Sequence, residues 1–119
     1  MIKKLLLKIK HIDTIKETLA NHQGNILKKV LVQKGEIPNL MMFSAATFKP
    51  QQEVEMHKHD TMFEVFYIQS GKAEFVINDK KHIVEAGNCI TIEPGELHSQ
   101  SNPFHEDVTW LYFGIAIDE

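Results

Sequence analysis

The chain has 119 residues, 43% of them hydrophobic, enough for one domain with a core of its own. With 13 basic against 16 acidic side chains the formal charge is −3, which supplies no cationic field to hold nucleic acid or an anionic membrane. The single cysteine, Cys89, excludes an intrachain disulfide and fits a reducing, cytoplasmic setting.

Residues 1–24 read as an N-terminal extension. Their longest apolar run, Leu5-Leu6-Leu7, is stopped by Lys8, and no small-residue cleavage site follows, so neither a secretory signal nor a membrane span is expected. Leu5, Leu7 and Ile9 alternate with Leu6, Lys8 and Lys10, which is the pattern of a strand with one wholly apolar face. Such a strand would cover a sheet edge, of its own chain or of a second subunit. Thr14-Ile15-Lys16-Glu17 fits a capping box and Gly24 a helix end, so a short helix is predicted over residues 14–21.

From Asn25 to about residue 117, short apolar stretches alternate with turn residues at regular intervals. The expected strands are Ile26–Val32, Leu40–Phe48, Phe63–Gln69, Ala73–Ile77, His82–Glu85, Cys89–Ile92 and Val108–Ile117. Short strands at even spacing imply an all-β sandwich or closed barrel. Asn78-Asp79, at the middle of Lys72–Glu85, marks a hairpin.

Seven histidines are many for this length. His11, His22, His82 and His105 are expected at the surface or in local hydrogen bonds. His57 and His59 are spaced to share one face of a strand, where two protonated imidazoles would repel; a metal ion holds both neutral. Glu64 opens the run Glu64-Val65-Phe66-Tyr67-Ile68. If Glu64, Phe66 and Ile68 face inward, the carboxylate needs a cationic partner; the alternative buries Val65 and Tyr67. His98 lies just beyond the turn signal Pro94-Gly95.

These residues together resemble the cupins, small antiparallel barrels of jelly-roll type. The first cupin motif has two histidines one residue apart, a glutamate and a glycine; here His57 and His59 are followed after four residues by Glu64 and after six more by Gly71. The second motif is met by Gly87, Gly95, His98 and Asn102, and 15 residues separate Gly71 from Gly87, as in small members. The likeness spans roughly residues 40–117. It departs at Gln51, where the family has glycine, and at Glu93, where the family's proline comes one step later as Pro94. Neither is a ligand position.

The resemblance implies a single antiparallel jelly-roll barrel behind the N-terminal extension, and a divalent transition metal (Fe, Mn, Ni, Cu or Zn) on His57, His59, Glu64 and His98. Three neutral imidazoles and one carboxylate leave a divalent ion with a net charge of about +1, suited to an anionic or enolisable oxygen ligand. The implied function is a metal-dependent enzyme of dioxygenase, isomerase or decarboxylase type acting on a small molecule. The alternative is a non-catalytic module that binds or senses one. Small cupins also imply a homodimer. Glu53, Glu55, His57 and His59 share one parity, so on a strand without a bulge Glu55 would stand beside the histidines as a general acid or base. On the last strand, either Trp110 and Tyr112 or Leu111 and Phe113 line the cavity.

Overall fold

The computed structural model describes residues 8–20 and 25–117. Among them are ten strands: β1 (Thr18–Leu19), β2 (Leu27–Val32), β3 (Leu40–Phe48), β4 (Glu53–His57), β5 (Met62–Ser70), β6 (Lys72–Ile77), β7 (Lys80–Glu85), β8 (Cys89–Ile92), β9 (His98–Ser101) and β10 (Val108–Ala116). One sheet has the order β1-β2-β3-β10-β5-β8 and the other β4-β9-β6-β7. All pairings are antiparallel. After β3 the chain crosses between the sheets at nearly every connection, which is the all-β jelly roll expected from the strand spacing.

The short helix predicted over residues 14–21 is not formed. A single 3-10 turn covers Ile12–Thr14, and Ile15 is already extended at φ −91°, ψ 129°. The Thr14 hydroxyl donates backward to the His11 carbonyl at 2.7 Å, so it does not cap a forward helix. The His11 ring accepts from the Asp13 amide at 3.1 Å. The chain then pairs Thr18 and Leu19 with β2. Residues Leu5, Leu7 and Gly24 of the expected strand and helix end lie outside the described residues, and Lys8–Lys10 are irregular.

The two sheets meet over Phe48, Phe66, Ile68, Phe75, Val108 and Trp110, all at most 2% exposed. Their rings pack edge-on or tilted, with Phe48–Trp110 centroids 4.4 Å apart and Phe66–Phe75 5.1 Å apart. Each such ring contributes roughly 1.5–3 kcal/mol by leaving water. This packing plugs one end of the jelly roll. Toward the other end the inward positions become Glu64 on β5, Tyr112 and Gly114 on β10, and His98 and Gln100 on β9, so that polar side chains join an apolar wall around an open cavity there.

Two turns aim strands at the open end. Asn78 and Asp79, at φ 49° and 67°, form the expected hairpin between β6 and β7. Pro94 and Gly95 occupy the centre of the Glu93–Glu96 turn, with Gly95 at φ 84° and the Glu96 amide donating to the Glu93 carbonyl at 3.2 Å. Proline first and glycine second suit a type II turn, which accommodates the one-step shift of the proline.

Gln51 also has a positive φ, 74°, where the family motif has glycine. A side chain in the left-handed region costs about 1–2 kcal/mol, less the entropy that glycine loses on folding. Gln51→Gly should therefore raise the thermal midpoint by roughly 2–5 °C. A lower midpoint would mean that the glutamine side chain holds this turn.

Candidate functional site

Four side chains converge at the open end from both sheets. His57 ends β4 and His98 begins β9, and the two are direct register partners with ring centroids 4.2 Å apart. Glu64 stands on β5 in the other sheet, inward with Phe66 and Ile68, which settles the choice of faces on that strand. His59 lies past the end of β4, not on it. Its place comes from the turn opposite, where the Gly95 amide donates to the His59 carbonyl at 2.8 Å. One ligand atom from each of the four lies within 4.8 Å of all the others.

The hydrogen bonds fix the rings. His57 Nδ1 is 2.7 Å from the Glu55 carbonyl and His98 Nδ1 is 3.0 Å from the Glu96 carbonyl. A carbonyl only accepts, so each Nδ1 carries a hydrogen and each Nε2 is turned toward the centre. His98 Nε2 lies 3.0 Å from Glu64 Oε1, and His59 Nε2 lies 3.4 Å from the same oxygen.

The electrostatics follow. Burial opposes charge on His98, but its hydrogen bonds to the Glu64 carboxylate and the Glu96 carbonyl outweigh it and hold the pKa above that of an ordinary histidine. Acceptors at both nitrogens favour the protonated ring. Burial pushes the pKa of His59 down; attraction to Glu64 does not offset this, and the neighbouring His57 and His98 add to it. Three imidazoles with two Nδ1 atoms tied off, and one carboxylate at their centre, form a donor set that fits a divalent transition metal.

His57, His59 and Glu64 border a cavity of about 570 Å³, and His98 is fully buried behind them. Trp110 and Tyr112 line it, which decides between the two faces of the last strand. Burial raises the Tyr112 hydroxyl to about 12. Met41, Met42, Met56 and Met62 form much of the remaining wall.

Glu55, expected beside the histidines, lines the same cavity from its edge. The β4–β9 register shifts between Val54 and His57, so a bulge breaks the parity that would have set Glu55 beside the histidines. Val54 turns to the core, while Glu55 is exposed at the cavity edge and contributes its backbone carbonyl to His57. Gln100 is a site residue that the sequence reading does not single out. Only 8% exposed, it shares the inward face of β9 with His98, with Asn102 just past the end of the strand, and lines the cavity. Its even spacing from His98 is the signal that marks it. Asn102 holds the fold around the site: its amide donates to the Phe48 and Glu106 carbonyls at 2.9 and 2.7 Å.

Among curated proteins, the chain is 33% identical over 90 residues to the oxalate-binding protein of Thermotoga maritima, covering 75% of this chain and 74% of the relative. It is 30% identical over 81 residues, 68% of its length, to an uncharacterized HTH-type transcriptional regulator, YdiP, of Escherichia coli, of which it spans only 26%. Among solved structures it superposes on a protein of Thermotoga maritima described as a predicted oxalate decarboxylase, with a TM-score of 0.85 and 25% identity, over 92% of this chain and 99% of the other. Residues 45–114 match the Cupin domain model, and with this jelly roll and both motifs in place the chain belongs to the cupin family.

Proposed function

We propose that this cupin holds one divalent transition metal (Fe, Mn, Ni, Cu or Zn) on His57, His59, Glu64 and His98, and uses it on a small carboxylate or related oxygenated anion. The observation that carries this reading is the convergence of four donor atoms within 4.8 Å, with the His57 and His98 rings already turned by backbone carbonyls. A bound ion supplies Lewis acidity toward a carboxylate or enolate oxygen, and iron or manganese adds redox chemistry. The chain's own residues do the rest. Glu64 keeps the centre's charge low enough for an anion to be attracted without being held irreversibly. The methionine and aromatic wall excludes water. The Tyr112 hydroxyl, with its pKa at about 12, stays protonated and can donate to a ligand oxygen.

The reaction class that this supports is metal-dependent decarboxylation, isomerisation or dioxygenation, and the likeness to a predicted oxalate decarboxylase favours the first. A second reading, a non-catalytic binding module, is favoured by the relative named an oxalate-binding protein. Protein purified without chelator should carry close to one transition metal per chain by elemental analysis. Incubated with oxalate and longer dicarboxylates, it should release carbon dioxide only when metal-loaded. A metal-dependent rise in thermal midpoint with these anions, without their consumption, would select the binding module. Protein that takes up none of the five metals would sink both.

A further inference from the structure

Oxalate, two carboxylates joined directly, fills only a small part of a cavity of about 570 Å³. That size lies within the range, about 300–1,000 Å³, of sites that hold much larger organic molecules. The wall is largely apolar, with Met41, Met42, Met62, Phe66 and Trp110 at its surface. Unbranched methionines adapt to a flexible or variable body better than branched residues do.

Besides the donors, the polar side chains in this wall are Lys28, Lys34, Glu55, Gln100 and Tyr112, and two of them, Gln100 and Lys28, bear on what the cavity holds. Gln100 stands beside His98 on β9, and its Oε1 is buried without a hydrogen-bond partner. A buried amide oxygen left unpaired costs about 1–3 kcal/mol, so a ligand group that donates to it, or accepts from the rotated amide, is stabilised there. The other is Lys28. It pairs in register with inward-facing Ala46, so it faces the interior while Lys29 faces out. Its ammonium lies 3.2 Å from Met42 Sδ. It has thus left its own row, Lys28–Ala46–Trp110–Ile68, and reaches along the sheet to Met42, beside the row of Phe43, Phe113 and Val65 and close to that of Gly114 and Glu64. The lysine ion pairs among the described residues are Lys8–Glu36, Lys58–Asp60 and Lys81–Glu74, and Lys28 takes part in none. Desolvation holds its pKa below that of an ordinary lysine, a cost that an anion beside it would offset.

We propose that the cavity takes an elongated dianion: one carboxylate seated at the four donors and Gln100, an apolar body along the methionine and aromatic wall, and a second anionic group held by Lys28. This inference rests on the metal site proposed above. The probes are oxalate, glutarate, adipate and pimelate, with hexanoate as the matched monoanion, titrated into metal-loaded protein by calorimetry and by the fluorescence of Trp110. Affinity should rise from oxalate to an optimum at a longer diacid, which should bind at least about tenfold tighter than hexanoate. Lys28→Met should bring that ratio close to one, with metal content and ligand-free thermal midpoint unchanged, and Lys28→Arg should restore it. Oxalate as the tightest ligand, or a ratio preserved in Lys28→Met, overturns the proposal while leaving the metal site standing. Protein that fails to load metal overturns the metal site and this inference with it.

Discussion

Alanine at both His57 and His59 should leave the purified chain metal-free, where the unaltered protein carries close to one ion. Loss of an outer hydrogen bond to a metal ligand alone weakens affinity about 10–100-fold, and loss of two ligands should exceed that. A ligand present at a thousand times its dissociation constant stabilises a fold by about 4 kcal/mol. Metal-loaded protein should therefore melt on the order of 15 °C above the double variant, and the two should melt close together after chelation. The pH dependence has a definite sign. His98 must be neutral to bind an ion, yet its pKa is held above the ordinary value of 6.5. Metal uptake should release a proton and weaken about tenfold for each pH unit below that raised pKa. Metal-free protein should behave oppositely. A raised pKa stabilises the fold fully below the unfolded value of 6.5, and this contribution is lost as pH rises through the folded value. His59, with its lowered pKa, contributes stability above the ordinary value that is lost as pH falls through the lowered one. Calorimetry in two buffers of different ionisation enthalpy counts the protons. Metal retained near one per chain in the double variant would displace the site.

Gly71→Ala should be the most damaging of the single glycine replacements among the described residues. Gly71 sits at φ +81°, and a Cβ there would run into the Asp107 carbonyl oxygen and lie 2.9 Å from Val108 Cα. Both obstacles are backbone, and Val108 is fully buried in the core, so nothing nearby can yield cheaply. Strain in the left-handed region of about 1–2 kcal/mol adds to the collision, for a total of roughly 3 kcal/mol or more. The midpoint should fall by on the order of 10 °C. Gly87 is the control: at φ +95° it has nothing within 4 Å of its would-be Cβ, so alanine there should show the strain alone. Equal losses at the two positions would show that the Asp107–Val108 backbone moves aside. The family glycine at this step is thus explained by a close approach of backbone to backbone, where Gln51 shows that positive φ alone can be tolerated.

Hydrophobic alternation located the strands whose inward residues are apolar. The observed β3 and β8 have the expected bounds, and β5, β6 and β10 differ from expectation by only a residue or so at their ends. It did not locate β9, because the inward residues of that strand are His98 and Gln100, followed just past its end by Asn102, all polar and all buried. Nor did it mark β4 as a bulged strand, since Glu53-Val54-Glu55-Met56-His57 has one core residue and the bulge is set by the β9 partner. The four donors were legible because their spacing matches a family pattern. Lys28 was not, although Lys28-Lys29 on a strand must send one lysine to each face; which one goes inward is decided by pairing with Ala46. The misread helix over residues 14–21 has a similar cause. Thr14 and Glu17 have the right letters for a cap, but strand pairing at Thr18 takes the backbone that a helix would use.

The four donors belong to different sheets: His57 and His98 come from β4 and β9 of the four-stranded sheet, Glu64 from β5 of the six-stranded one. An ion on all of them would be a cross-link between the two layers, closing the chain into loops as a disulfide does. With Cys89 as its lone cysteine, this chain has no covalent means to the same end. The staple would fall at the cavity end of the jelly roll, where an open space of about 570 Å³ separates part of the two layers. Amide exchange in β4 and β9 should therefore report the presence of metal far more strongly than exchange in β6, whose Phe75 is locked in the core at the plugged end.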